Sequence, residues 1–136
     1  MTSTCKIAYQ GQLRMKTTHL ANGQTIITDA GKNVGGKGEN ISPADLLTST
    51  LASCAMTIMA LRAEQLGADF SGCYAETSKE VDMQQFRVTK ICINFHLKAE
   101  FSAEVRNAVE SASRELCIVG RSLNADLIQK FEFIYE

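Results

Sequence analysis

The chain has 136 residues, 45% of them hydrophobic, which is enough for one domain with a substantial core. Its net charge is −1, and the 14 Lys and Arg side chains are scattered, so neither nucleic acid nor a membrane surface is expected as a partner. Five cysteines with no CxxC pair do not describe a disulfide framework, and the first six residues carry no secretory signal; residues 1–136 are expected to form one cytoplasmic domain with its cysteines as thiols.

Alternating apolar and polar residues predict half-buried strands over 5–9 and 13–17, with Gly11 turning between them and Arg14 on the face opposite Leu13. Asn22-Gly23 is a hairpin signal leading into a third strand over 24–28, so the N-terminal third reads as an antiparallel meander. The glycine-rich stretch 29–40 predicts a long loop of the kind that positions functional groups. Within it, Gly31 to Lys37 fits the opening of a phosphate-binding loop. The match fails at Gly38, where a magnesium-binding Ser or Thr belongs, and the next helix begins too late to cradle phosphates.

That helix starts at Ser42-Pro43-Ala44-Asp45, with Ser42 as the N-cap, Pro43 in the first helical position and Asp45 in the first turn; Gly67 ends it. Leu47, Leu51, Cys54, Ile58, Leu61 and Gln65 fall on one predicted inward stripe, while Ala52, Ala55 and Ala60 permit close packing. The apolar run over 46–61 is shorter than the ~20 residues that span a bilayer and contains Ser and Thr, so a core helix is expected. The second half reads as strands over 73–78 and 88–98, the latter with Ile91, Ile93, Phe95 and Leu97 inward. A helix capped by Ser102 follows, with Val105, Val109, Ala112 and Leu116 inward and Cys117 at its end. A last strand over 130–135 puts Phe131, Phe133 and Tyr135 on one side. A central helix with no polar face predicts a homodimer in which two copies of it pack antiparallel.

His19 and His96 have no cysteine or carboxylate at ligand spacing, so no metal and no cofactor is expected. Cys54 is the informative thiol. Most buried cysteines are inert small hydrophobes. One placed some three turns inside a helix is out of reach of the helix dipole and needs a nearby cation to ionise at neutral pH. Arg14, and Arg121 four residues past Cys117, are the candidates.

Four segments together resemble one family: Gly11-Gln12-Leu13-Arg14; Gly36-Lys37-Gly38-Glu39 running into Ser42-Pro43-Ala44-Asp45-Leu46-Leu47; Leu51-Ala52-Ser53-Cys54; and Leu116-Cys117-Ile118-Val119 before Arg121-Ser122-Leu123. The chain is similar over nearly its whole length to the osmotically inducible protein C and organic hydroperoxide resistance (OsmC/Ohr) family. The resemblance implies an α+β fold, an intertwined homodimer with antiparallel sheets wrapped around two long central helices. It also implies a thiol peroxidase that reduces organic hydroperoxides, with Cys54 attacking, Cys117 resolving, Arg14 activating the thiolate, and a dithiol such as a dihydrolipoyl group as reductant. Two positions depart from the family pattern. Ala44 stands where a glutamate follows the helix-initiating proline and pairs with the arginine, which leaves Glu39 or Asp45 to substitute, and Ile118 stands where a proline often follows the resolving cysteine. The alternative reading is a non-catalytic protein that uses the same pocket to bind an apolar ligand or sense redox state. A thioesterase built on a sheet-wrapped helix lacks an evident base other than Asp45.

Overall fold

A computed structural model describes residues 1–136, whose contacts divide into two compact units, 1–46 and 47–136. In the first, strands β1 (Cys5–Gly11), β2 (Arg14–His19) and β3 (Thr25–Asp29) form the expected antiparallel meander in the order β1-β2-β3. Gly11 pairs directly with Arg14, so Gln12 and Leu13 make a two-residue turn with φ of 55° and 62°. Leu13 therefore belongs to the turn and not to the strand predicted for it. Positive φ at both turn residues matches the twist of a tight hairpin, and alternation alone does not reveal it. The Asn22-Gly23 signal is realised: the Gly23 N–H donates to the His19 carbonyl at 2.8 Å and Asn22 Oδ1 accepts from the Gln24 N–H at 3.0 Å. The loop after β3 is ordered by its own backbone, with a short 3-10 turn over Lys32–Val34 and the Gly38 N–H donating to the Ala30 carbonyl at 3.1 Å. Gly36 lies so close to Ala30 that an added Cβ would fall on that residue's carbonyl oxygen. Gly36→Ala is accordingly expected to lower the denaturant midpoint by about 1–3 kcal/mol equivalent, the usual cost of overpacking.

Helix α1 (Pro43–Gln65) begins as predicted, with Ser42 Oγ accepting from the Asp45 N–H at 3.1 Å. It extends past the apolar run at both ends, and at 23 residues with a mean hydropathy of 1.4 over its most apolar window it is long and apolar enough to cross a membrane by length and composition. The helix is longer than the apolar run over 46–61 because it continues through Asp45 at one end and Arg62 at the other. One face of this helix is core all the same. Leu51, Ala52, Ala55, Met59 and Ala63 are buried and cluster with Ile91, Ile93, Phe95, Val105 and Val109. The predicted inward stripe is displaced round the helix: of its members only Leu51 is fully buried, and Leu61 is 47% exposed. A helix that is apolar all round has no moment to orient it, so its partners choose the face.

Strands β4 (Tyr74–Asp82) and β5 (Arg87–Leu97) pair antiparallel, and β6 (Ile128–Tyr135) joins β5 in parallel. The second sheet is therefore mixed, where antiparallel sheets were expected. A parallel neighbour needs a long crossover, and helices α2 (Ala103–Glu115) and α3 (Ile118–Ser122) supply it. Ser102 caps α2 by accepting from the Val105 N–H, and Val105, Val109 and Ala112 point inward as predicted. Leu116 does not: it is the C-cap and 51% exposed. Phe95 is fully buried, stacked on Phe133 at 5.3 Å and edge-on to Phe131 at 5.4 Å. Truncating it in Phe95→Ala is expected to cost about 3–5 kcal/mol of unfolding free energy, read from urea denaturation.

Candidate functional site

The N-terminal unit builds a charged cluster around Asp29. Arg14 and Asp29 are direct partners across the β2/β3 ladder, and the guanidinium grips the carboxylate with both arms, Nε to Oδ1 at 2.7 Å and Nη2 to Oδ2 at 2.9 Å. Asp29 is buried, and its Oδ2 also accepts from the backbone N–H groups of Glu39 and Asn40, at 3.1 and 3.0 Å, and from Asn40 Nδ2 at 3.1 Å. The Arg14 hydrogen bonds, helped by Asn40, hold this carboxyl well below the usual carboxylate range, against the opposing effect of burial. Arg14 in turn is held above its ordinary value, first by Asp29 and then by Glu39, whose Oε1 lies 2.9 Å from Nη2. Of the two carboxylates expected to replace the family glutamate, Glu39 thus meets Arg14, while Asp45 sits in the first turn of α1. Asp29 was missed. It was assigned to the loop because the third strand was ended at Thr28, and extending that strand by one residue would have set it opposite Arg14.

The second unit brings two thiols together. Cys54, half-buried on α1, packs against the core cluster that contains the fully buried Cys117. Cys117 does not end α2; it is the N-cap of α3, with extended backbone (φ −82°, ψ 106°) that turns its Sγ back to accept from the Gly120 N–H at 3.4 Å. The same sulfur lies 4.0 Å from the Leu51 carbonyl oxygen, one turn before Cys54 on α1. Burial pushes the Cys117 thiol up, the Gly120 N–H pulls it down, and hydrogen bonding with the Cys54 thiol raises it again. Arg121 is not among these influences. Its Nη1 donates to the Glu115 carbonyl at 3.1 Å, so the idea that it covers a thiolate is corrected. Among the other thiols, Cys5 is exposed, Cys92 is half-buried, and half-buried Cys73 is shifted up by burial. His19 bonds Asn22 at 2.9 Å, and His96 stacks on Tyr74 between Glu76, at 3.0 Å, and Glu136, at 2.7 Å.

The sequence matches the family model for OsmC-like protein over residues 36–129. No curated protein matches it. Among solved structures, a candidate osmotic stress induced and detoxification response protein from Psychrobacter arcticus 273-4 is 34% identical and superposes with a TM-score of 0.93, over 98% of this chain and 96% of that one. The organic hydroperoxide resistance protein OsmC of Legionella pneumophila (14% identity, TM-score 0.73, 98% and 97% coverage) and OhrB of Bacillus subtilis (14%, 0.66, 96% and 98%) share the fold. With a mixed α+β architecture, a family match across more than half its length and a relative above 30% identity, the chain belongs to the OsmC-like protein family.

Proposed function

We propose that the protein is a cysteine-based peroxidase acting on organic hydroperoxides. The observation that carries this reading is that Cys54 packs against the apolar cluster that contains Cys117, whose thiol it helps to shift, because two neighbouring thiols can close a disulfide once their Cα atoms come within about 7 Å. In the proposed cycle the Cys54 thiolate attacks the terminal peroxide oxygen, the O–O bond breaks, and the departing alkoxide takes a proton to leave as alcohol. The sulfur is left as a sulfenic acid. Cys117 then attacks that sulfur, hydroxide departs as water, and the disulfide is returned to two thiols by an external dithiol. Arg14, oriented by Asp29 and Glu39, is the proposed activating cation. Leu47 and Ile58, seven residues before and four after Cys54 on α1 and both incompletely buried, favour alkyl hydroperoxides over hydrogen peroxide.

A homodimer is part of the proposal. Its support is the apolar surface each unit leaves exposed, Ile7 and Tyr9 at 61% each in the first and Leu61 at 47% in the second. Sedimentation at micromolar concentration is expected to return twice the 14.9 kDa of the chain. A stable monomer would remove the shared architecture. The activity is tested by consumption of cumene hydroperoxide and of hydrogen peroxide with dihydrolipoamide as reductant. Faster turnover of the organic peroxide is expected, and no turnover of either would hand the site to the ligand-binding alternative.

A further inference from the structure

One face of the N-terminal meander gathers a thiol, an imidazole and two amides around a single cavity. Cys5 on β1 and His19 on β2 are direct partners across the ladder, and the Leu20 N–H donates to the Thr4 carbonyl at 2.9 Å one step beyond them. That bond makes Cys5 and His19 a non-hydrogen-bonded pair, the kind whose side chains approach most closely. Thr17, two residues before His19, and Ile26, its neighbour on β3, share the face. All four line a 310 Å³ cavity together with Asn22 and Gln24 from the turn between β2 and β3.

The turn fixes the tautomer of the imidazole. Asn22 Oδ1 accepts from the Gln24 N–H at 3.0 Å, and a backbone N–H can only donate, so this atom is the amide oxygen. His19 Nδ1 lies 2.9 Å from the same oxygen and is therefore the ring nitrogen that carries the proton. The lone pair on Nε2 is left to accept. A thiol, a base and an amide that orients the base are the parts of an activated nucleophile. No charged side chain lines the cavity, and the groups left to meet a ligand are Asn22 Nδ2, the Gln24 amide and the aliphatic surface of Ile26. Neutral donors beside an apolar wall suit a carbonyl oxygen on a short alkyl chain better than an anion.

We propose that Cys5 is a reactive thiol that His19 activates for addition to α,β-unsaturated carbonyl compounds. The sulfur forms a bond to the β-carbon as its proton passes to His19 Nε2. The π electrons move to the carbonyl oxygen, where Asn22 Nδ2 and the Gln24 amide stabilise the enolate, and the imidazolium returns the proton to the α-carbon. The product is a saturated carbonyl compound held on Cys5 as a thioether, and nothing is oxidised or reduced. The step uses neither Cys54 nor Cys117.

The test treats the native protein with 3-penten-2-one at neutral pH and follows each cysteine by peptide mass spectrometry. Cys5 is expected to react faster than Cys92, and His19→Gln to slow it about tenfold or more, short of the full reach of a positioned base because an exposed thiol also ionises in water. At about pH 10, where solvent ionises any exposed thiol, wild type and His19→Gln should react alike. Unfolding does not mimic this pattern, since it brings Cys54, Cys73 and Cys92 to the same rate as Cys5. In Gln24→Ala the enone reaction should slow about fivefold, the worth of one hydrogen bond, relative to alkylation by methyl iodide, which develops no charge on a carbonyl oxygen. Cys5 reacting more slowly than Cys92, a neutral-pH rate indifferent to His19→Gln, or equal slowing of both reagents in Gln24→Ala overturns the proposal.

Discussion

Cys54→Ser is expected to lower organic hydroperoxide consumption by a factor of about 10³ or more, because a serine hydroxyl at neutral pH is a far poorer nucleophile than a thiolate and no other group replaces it. Cys117→Ser should behave differently. With Cys54 intact the first equivalent of peroxide is still consumed, and the cycle then stalls at a sulfenic acid that dimedone traps and mass spectrometry detects as an adduct on Cys54. Arg14→Ala is expected to slow the peroxide step about 10- to 100-fold, the size of one lost hydrogen bond to a charged group. Cys5→Ser, Cys73→Ser and Cys92→Ser should leave the rate unchanged. If wild type and Cys54→Ser consume cumene hydroperoxide at the same slow rate, Cys54 is a core thiol and the ligand-binding reading takes its place. Ala44, where the family pattern has a glutamate, would then be the first position to restore.

Asp29→Ala is expected to release the loop between β3 and α1 from the first unit. The buried carboxylate is the common acceptor for Arg14, two backbone N–H groups and the Asn40 amide, so its removal leaves a guanidinium and three N–H donors without their shared partner. Amide hydrogen exchange at Glu39 and Asn40 should rise about a hundredfold or more, as local opening replaces a protected state. The pH dependence has a definite sign. The folded-state carboxyl is held well below its ordinary value of 3.8, so the ionised form stabilises the fold above that pH and the contribution is lost as pH falls toward the folded-state value. The gap in denaturant midpoint between wild type and Asp29→Ala should be full at pH 7 and narrow below about pH 4. A gap that is the same at pH 7 and in strong acid would mean that Asp29 acts through packing and not through its charge.

Much of the candidate site's framework was readable from residue order. Ser42-Pro43 with Asp45 marked the start of α1 within a residue, because capping and proline preferences depend only on the first turn. The four motif segments led to Cys54, Cys117, Arg14 and Glu39 with no distance known. Where the reading slipped, the missing information was non-local. Leu13 was taken as a strand residue because it alternates with its neighbours, yet the Gly11 to Arg14 pairing makes it a turn. Arg121 looked like a cation for Cys117 from its spacing of four, but α3 is a new helix and the side chain serves the end of α2 instead.

Residue order by itself determined the positions of α1 and α2 and the approximate positions of the strands, the inward alternation of β5 and the capped face of α2, since periods of 2 and 3.6 residues are written locally in the chain. It also placed Cys54 in mid-helix, where no local group tunes it. The tertiary structure decided which face of α1 is core, because a helix apolar on every side carries no preference until a sheet packs against it. It decided that Asp29 is the anchor of Arg14 and that Cys117 turns its sulfur toward Cys54 and the Gly120 N–H. Each of these depends on a partner that folding brings from a distant part of the chain, and short-range pattern does not encode that choice.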